Sequence, residues 1–599
     1  WFFLTNKDFW YECKTSILTK KIKKMRFLTK LLLFTFLLTI LDSCTNKFEE
    51  INTNPDAISV ASPEELFAGT VKKGLDLIGG TLNDQMFNTY ASYYGGKGGQ
   101  FNRYFYTESG LDNFWRQFYV DVLKNNQDII DNYSNDLSYT NRVYISKIWK
   151  SYVYSVLVST FGAVPYEDAS KGMLATRYSS EEFIYTDILN VLKEAGENMD
   201  PNGDTLLQDP VFNGDNTKWI KFANSLRLKI ALRISEGFPA LAQLHGSEAM
   251  ANENNLLSAN LDNVALKWGL EEENWSFNYR RYVFITANQD VVPYINLNYL
   301  LNLKTYRDPR LVALIEPSLS PLIIRDEVFK SGSITEKIIV EYELPYFGRP
   351  LGGNATVDGW DLNGNDNILN GVETRRYSRP KVDVFMAQDM SYNLITYAEL
   401  NFIKAEAQLK GWGGSKTAEQ YYYDGIDASF QQYGVTGENE YKNRDGIKWG
   451  TSSTGDRHLF GVVNSGISAN PLDKITRQRW LASFNQGHDI WCMQKRTRLL
   501  PLIDQFAPDG ALGLDYASLP ERMAYPPFSE SVLNNDGFQE AVSNLSQGNS
   551  LYSELKINKP YTPIKWETII PEFNQEFANN FYGDSEDDLI AAGITYTIL

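Results

Sequence analysis

Residues 140–161 read TNRVYISKIWKSYVYSVLVSTF, and the spacing of the apolar side chains in this stretch decides the fold class. Apolar residues recur three, four and seven positions apart, as on the buried face of an α-helix: Ile145, Ile148, Trp149, Tyr152, Val153, Val156 and Leu157. The same spacing recurs from Tyr185 to Leu192, from Trp219 to Ile230 and from Ala398 to Leu409. The sequence therefore predicts a mostly α-helical protein.

The helical segments follow one another at a regular interval. The segments predicted to be helical are 111–133, 140–161, 180–199, 216–235, 392–412 and 416–433. The first four begin about 30–40 residues apart, which is the spacing of tetratricopeptide-like helix pairs. We therefore predict tetratricopeptide-like helices over about 111–235 and 392–433.

Long irregular stretches separate the helical blocks. Residues 317–380 and 434–472 are rich in Gly, Pro, Asn and Asp, and loops of this length commonly carry function. Short strands are expected, for example at Ile338–Tyr342, but the sequence shows no run of alternating strands. The predicted fold class is therefore mostly α, a single domain with helix pairs, long irregular loops and minor β structure.

The N-terminal region has the layout of a lipoprotein signal. Basic residues precede an apolar run, Leu31–Leu41, that is too short to span a bilayer, and Cys44 follows after two residues. A cysteine at this point is typical of bacterial lipoproteins, in which the thiol carries a diacylglycerol. We therefore expect 1–43 to be upstream residues and a removed signal peptide, 44–64 a lipidated tether, and 65–599 the folded body.

Composition narrows the classes of ligand. The formal net charge is −17, which argues against nucleic acid because phosphate binding needs a basic surface. Aromatic residues make up 14% of the chain, with 36 Tyr and 13 Trp. Tyr and Trp combine a flat apolar face with a polar edge, as sugar rings combine C–H faces with hydroxyl rims. Carbohydrate is therefore a chemically suitable ligand, although most of these aromatic rings are expected to pack between helices.

Cysteine and histidine usage argues against several kinds of catalytic site. Cys492 is the one cysteine that follows Cys44, so the folded body has no internal disulfide and no zinc site of the cysteine type. The three histidines are widely separated, and neither His-Glu-x-x-His nor Gly-x-Ser-x-Gly occurs. We therefore expect neither a metal centre nor a nucleophilic triad.

Five stretches together resemble one family. They are FEEINTNP at Phe48–Pro55, FGAVPYEDA at Phe161–Ala169, Tyr397–Trp412, Ile475–Pro501 and Arg522–Asn534. In this order they cover nearly the whole of the expected mature chain, and the chain resembles the SusD/RagB family of nutrient-binding outer-membrane lipoproteins. Glu399 and Glu406 lie seven residues apart on one helix face, where Arg496 and Arg498 could pair with them.

The resemblance implies a fold and a role. The fold would be a single mostly helical domain, SusD-like, with tetratricopeptide-like helices on one side and irregular elements on the other. The protein would be anchored by lipid to the outer membrane, facing outward, and would cover a SusC-like TonB-dependent transporter. It would capture a glycan or an oligopeptide and pass it on, without enzymatic activity. Some members of the family bind calcium.

Candidate ligand contacts come from loops rich in aromatic and amide side chains, which the resemblance implies as the binding surface. The first segment is 86–106, the second runs from Trp268 to Tyr282, and the third is a loop containing Trp360. The proposed contacts are Tyr93, Tyr94, Gln100, Asn102, Tyr104, Trp275, Tyr279, Arg280 and Trp360. Each segment could instead pack against the helices.

Alternatives remain open on metal and on activity. Asp361, Asn363 and Asn365 imitate the first positions of a calcium loop, but the sixth-position glycine is missing and Glu373 falls one place late. We therefore predict no cofactor, with a structural Ca²⁺ as the alternative.

Two other functions remain as alternatives. A surface glycoside hydrolase would need two carboxyls about 5–9.5 Å apart, and a pure adaptor would use its helices to hold partner proteins. Neither has a local signature in the sequence.

Overall fold

The computed structural model divides the chain into two units, Trp1–Ser62 and Pro63–Leu599. Of the first unit only Ser62 is described. The described residues are 62–95, 108–169, 176–285, 292–318, 322–346, 348, 377–455, 457–458, 463–502, 519–526, 534–561, 585–591 and 594–599. In these ranges no helix has both the length and the apolarity to cross a bilayer.

Helices dominate the second unit. The α-helices are α1 (Pro63–Leu75), α2 (Asn88–Tyr90), α3 (Glu108–Gln117), α4 (Asn125–Tyr133), α5 (Thr140–Phe161), α6 (Glu181–Asn198), α7 (Asn216–Arg233), α8 (Pro239–Ala251), α9 (Phe277–Tyr279), α10 (Leu297–Thr305), α11 (Leu311–Leu314), α12 (Val382–Phe385), α13 (Tyr397–Leu409), α14 (Ala418–Tyr433), α15 (Glu438–Lys442), α16 (Pro471–Ala482), α17 (Gly487–Thr497), α18 (Asn535–Ser543) and α19 (Glu586–Ala591). Segments with π-helical hydrogen bonding are Asp76–Phe87, Phe118–Lys124 and Arg280–Phe284. Single 3₁₀ turns occur at Leu137–Tyr139, Glu253–Asn255, Asn260–Asp262 and Glu272–Asn274.

The predicted α5 has the same bounds in the structure. It ends before Gly162, whose φ of 90° lies in a region that L side chains avoid. Its predicted apolar face is buried, and from Ser151 to Phe161 every residue of the helix is buried. The second half of α5 is therefore surrounded on all sides, which the one-sided apolar spacing did not reveal.

Consecutive helices pack on each other as the interval predicted. Helix α5 packs on α6, α6 on α7 and α7 on α8, while α13 packs on α14. Helix α16 contacts both α13 and α14, and α7 contacts α13, so the two groups of helices share one core. Side-chain caps define several of these helices, for example the Thr417–Gln420 capping box that begins α14. The prediction of a mostly helical fold with helix pairs is confirmed.

Strands are short, two to eight residues each, and some of them contribute side chains to the main core. They are β1 (Val164–Pro165), β2 (Tyr178–Ser179), β3 (Val264–Lys267), β4 (Ile315–Glu316), β5 (Leu322–Phe329), β6 (Lys337–Leu344), β7 (Arg379–Pro380), β8 (Ser391–Ile395), β9 (Arg457–His458), β10 (Val463–Asn464) and β11 (Tyr596–Ile598). The antiparallel pairs are β1 with β2, β3 with β8, β4 with β7 and β9 with β10, and β6 lies between β5 and β11. The predicted strand at Ile338–Tyr342 lies within β6.

One predicted helix start is wrong. Residues 392–395 belong to β8 instead of the helix predicted at 392–412, and they pair with β3. The helix begins at Tyr397, where the Thr396 hydroxyl accepts a hydrogen bond from the backbone N–H of Glu399 at 3.1 Å. A strand followed by a threonine cap explains the boundary.

Buried ion pairs join the helices at the centre of the fold. Lys229 of α7 lies 3.0 Å from Glu399 of α13 and 2.7 Å from Asp489 of α17. Arg496 of α17 donates to both carboxylate oxygens of Glu406, at 2.5 and 2.7 Å. Burial would raise the pKa of Glu406, but the Arg496 guanidinium outweighs burial and holds that pKa below its ordinary value. These pairs are inaccessible to a ligand and fix the helices relative to one another.

Candidate functional site

The first predicted segment lies largely in the core. Tyr93 and Tyr94 have no exposed surface, so neither ring can present a face to a ligand in this structure. The Tyr93 hydroxyl lies 2.8 Å from the carbonyl oxygen of Trp480 and 2.7 Å from that of Ser483. Burial raises the pKa of Tyr93 well above its ordinary value. The structure therefore corrects the prediction that these two tyrosines contact ligand.

A local turn explains the correction. Helix α2 ends at Tyr90, and Ser92 follows with a φ of 54°. The chain then directs Tyr93 against Tyr299 at 5.0 Å and against Phe484 at 5.2 Å, measured between ring centroids. Both tyrosines belong to a second core cluster that is separate from the main helical core. Clustered tyrosines beside a glycine-rich stretch therefore mark a packed turn here.

Several predicted residues lie outside the described part of the chain. They are Cys44, Gln100, Asn102, Tyr104, Trp360, Asp361, Asn363 and Asn365. Their roles in lipid attachment, ligand binding or calcium binding therefore stay predictions.

The second predicted segment forms a supported surface feature. A 3₁₀ turn at Glu272–Asn274 leads into α9 and then into the π-helical segment. The Ser276 hydroxyl accepts from the backbone N–H of Tyr279 at 3.0 Å and donates to the carbonyl of Ala387 at 2.7 Å. The backbone N–H of Ser276 donates to the carbonyl of Gln388 at 2.8 Å. These bonds attach the segment to residues Ala387 and Gln388 of the same chain and hold its orientation.

Three aromatic rings meet on this segment. The Trp275 ring packs edge-on against Tyr279 at 5.1 Å and against Phe284 at 5.0 Å. The indole Nε1 of Trp275 donates to the carbonyl of Leu270 at 2.8 Å, which fixes the ring. Phe284 is 53% exposed, and the adjacent Ile285 is 74% exposed. We call Trp275, Tyr279 and Phe284 the aromatic surface.

A cavity of about 490 Å³ opens at the aromatic surface. Its lining residues are Glu272, Glu273, Trp275, Arg280, Phe284 and Ile285. The volume lies within the ~300–1,000 Å³ range typical of small-molecule sites. Arg280 Nη2 donates to the carbonyls of Glu272 at 2.9 Å and Glu273 at 2.8 Å, which holds the guanidinium at the cavity wall.

The structure thus brings Trp275, Tyr279 and Arg280 of the second predicted segment together, and their contact with a ligand stays a prediction. Sequence reasoning missed Phe284 and Ile285, which lie just beyond Tyr282, where the predicted segment ended. The available signal was an apolar run, Tyr282 to Ile285, directly after two arginines. Exposure of such a run cannot be read from the sequence, because apolar residues are more often buried.

Comparison with protein-family models gives a match over most of the chain. The sequence model of the SusD-like family, described as "starch-binding associating with outer membrane", matches residues 55–321 and 349–526. No curated protein matches the chain.

Solved structures share the fold. One titled a chitin-binding protein has a TM-score of 0.66 and 21% identity, with 83% of this chain and 100% of that chain covered. A chitin-binding SusD homolog from Flavobacterium johnsoniae has a TM-score of 0.65 and 20% identity, covering 83% and 99%. A SusD homolog from Bacteroides uniformis has a TM-score of 0.63 and 20% identity, again covering 83% and 99%.

Proposed function

This chain belongs to the SusD-like family, and on that premise we propose that it is a cell-surface lipoprotein that binds a glycan. The glycan contacts the aromatic surface and is delivered to a partner SusC-like TonB-dependent transporter. The observation that carries the proposal is the group of aromatic rings around Trp275, whose indole is held by a hydrogen bond and whose neighbour Phe284 is exposed.

The chemistry of the cavity suits carbohydrate. Flat rings pack against the C–H faces of sugars, and the guanidinium of Arg280 and the carboxylates of Glu272 and Glu273 can bond to hydroxyls. Exposed apolar patches on a soluble domain commonly mark binding sites. Two of the similar solved structures are titled as chitin-binding, which supports a carbohydrate ligand in this fold.

An oligopeptide in the same role is the alternative ligand. Extended peptides commonly add a strand to an exposed sheet edge, where main-chain hydrogen bonds supply affinity. The cavity at the aromatic surface is lined by residues of 3₁₀, turn and π-helical segments, so among the described residues it offers no strand edge. This difference favours a sugar.

Binding without turnover is the proposed mode of action. The aromatic surface holds the ligand by packing and hydrogen bonds, and no bond in the sugar is broken. A glycoside hydrolase needs one carboxyl kept protonated, commonly by burial, beside a second carboxylate. The carboxylates lining this cavity, Glu272 and Glu273, are exposed to water.

The location follows from the proposed lipid anchor. Acylation of Cys44 would attach the chain to the outer membrane by its first mature residue, because two or more acyl chains suffice for stable anchoring. The family description names association with the outer membrane. The folded body would then present the aromatic surface to incoming glycan beside the transporter.

Calorimetric titration with two neutral probes, maltohexaose and N-acetylchitohexaose, tests the proposal. We expect saturable binding of at least one probe, and we expect Trp275→Ala to weaken it about tenfold or more. Trp449→Ala is the matched control, since Trp449 is another half-buried tryptophan and lies outside the cavity. Chromatography of the recovered sugar should show an intact hexasaccharide. Failure to bind either probe, or release of shorter products, would contradict the proposal.

A further inference from the structure

A second cavity adjoins the aromatic surface. It has a volume of about 190 Å³ and shares Arg280 with the first cavity. Its polar lining residues are Lys73, Asp76, Thr81, Asn113, Gln117 and Arg280. We call this cavity the polar cleft. It lies where α1 passes into the π-helical segment that begins at Asp76, with α3 forming another wall.

Asp76 is the distinctive group in the polar cleft. Among the described residues its carboxylate has charged neighbours, Arg280, Lys72 and Lys73, but no hydrogen-bonded partner, and the side chain is partly buried. Burial raises the pKa of Asp76 to about 6, against the opposing effect of the cations Arg280, Lys72 and Lys73. A desolvated carboxylate facing a cavity is an acceptor whose hydrogen bonds remain to be made.

The nearby cations are already positioned by other partners. Lys72 Nζ donates to the Asn274 side-chain oxygen at 2.8 Å and to the carbonyl of Glu273. Arg280 Nη2 donates to two backbone carbonyls. Lys73 Nζ lies 4.0 Å from the Asp121 carboxylate. The cations therefore border Asp76 without forming a hydrogen-bonded pair with it.

We infer that the polar cleft is a second subsite that accepts one neutral, hydroxyl-bearing unit of the glycan, with Asp76 as the hydroxyl acceptor. The inference rests on the proposed function, because the same glycan would run from the aromatic surface past Arg280 into the cleft. Its volume is below the ~300–1,000 Å³ of sites for drug-sized ligands, so it suits a single small unit.

The charge pattern selects a neutral unit. A cationic amino sugar would be attracted by Asp76 but repelled by Lys73 and Arg280, and an anionic uronate would be attracted by these two cations but repelled by Asp76. Hydroxyl groups both donate and accept, so they match a lining that contains a carboxylate, cations and the amides of Asn113 and Gln117. A neutral sugar is therefore the ligand that all of these groups can bond.

The experiment compares Asp76→Asn with wild type by calorimetric titration of maltohexaose and N-acetylchitohexaose. The substitution keeps the shape of the side chain and removes its charge. Hydrogen bonds to charged groups are about twice as strong as neutral ones, so we expect affinity at pH 7.5 to fall about tenfold. Asp128→Asn, which removes a surface carboxylate outside the cleft, should leave affinity unchanged.

A pH profile separates binding from a structural role. The charged groups facing Asp76 are Arg280, Lys72 and Lys73. Wild-type affinity should therefore fall as pH drops through about 6 and Asp76 takes up a proton. The affinity of Asp76→Asn should stay level over the same range. Asn113→Ala, which alters an exposed residue of the cleft, should lower affinity a few-fold.

Each outcome distinguishes the two proposals. If wild type binds a hexasaccharide and Trp275→Ala does not, but Asp76→Asn binds like wild type at both pH values, the second subsite is overturned and the aromatic surface stands. Stronger binding of glucosamine hexamer or hexagalacturonate than of either neutral probe would also overturn it. If wild type binds none of these sugars, the proposed function itself fails.

Discussion

Replacing Tyr93 should reduce stability and leave glycan affinity unchanged, because the structure places this residue in the core. Its hydroxyl is buried and lies within 2.8 Å of two backbone carbonyl oxygens, those of Trp480 and Ser483. Tyr93→Phe removes the single proton that serves these acceptors, which costs about 1–3 kcal/mol when buried polar groups lose their partner. Tyr93→Ala also removes a fully buried ring, and such truncations cost about 3–5 kcal/mol.

The assay is urea unfolding followed by tryptophan fluorescence, combined with titration of the hexasaccharides. Tyr144→Phe is the control, because its hydroxyl bonds to Glu194 at 3.0 Å on the exposed surface. That control should change the free energy of unfolding by no more than about 0.5 kcal/mol. Trp275→Ala should show the opposite pattern to Tyr93→Ala, with weaker binding and a smaller loss of stability. Weaker glycan binding by Tyr93→Phe with wild-type stability would refute the reasoning.

Three further substitutions test other parts of the structure. Glu406→Gln leaves the buried guanidinium of Arg496 without its carboxylate and should lower the free energy of unfolding, measured by urea denaturation, by about 3–5 kcal/mol. The control Glu440→Gln, at an exposed ion pair, should lower it by no more than about 1 kcal/mol. Equal losses in the two variants would contradict the importance of burial. Asp84 has its pKa raised from 3.8 to about 6 by burial, so its ionisation destabilises the fold above pH 6 and costs nothing below pH 3.8. Asp84→Asn should therefore stabilise the protein at pH 7.5 by up to about 3 kcal/mol, with the gain shrinking as pH falls towards 4, and a gain independent of pH would show that ionisation is not its cause. Cys44→Ala should release the protein from membranes in a fractionation assay, and persistent membrane association would argue against the lipid anchor.

Helix positions were predictable because apolar spacing encodes them locally. The bounds of α5 follow from the periodicity of 140–161 and from Gly162, and the structure has the same bounds. Arg496 pairs with Glu406 as the helix-face spacing suggested. Arg498 pairs with Glu521 instead, at 2.8 Å, because it follows the end of α17 with a φ of 55° and leaves the helix face.

Surface exposure was much harder to predict. Tyr93 and Trp275 belong to segments of similar composition, yet one is in the core and the other borders a cavity. The difference depends on the backbone turn at Ser92 and on contacts with residues about 200 to 390 positions away in sequence. Asp76 could not be identified either, since its place beside Arg280 depends on the packing of separate segments.

A crystal structure of the protein with maltohexaose or N-acetylchitohexaose would locate the ligand. We predict a sugar ring packed against Trp275 and Phe284, with the next unit in the polar cleft and a hydroxyl within hydrogen-bond distance of Asp76. Sugar bound elsewhere on the folded body, with the aromatic surface empty, would contradict the proposed binding site.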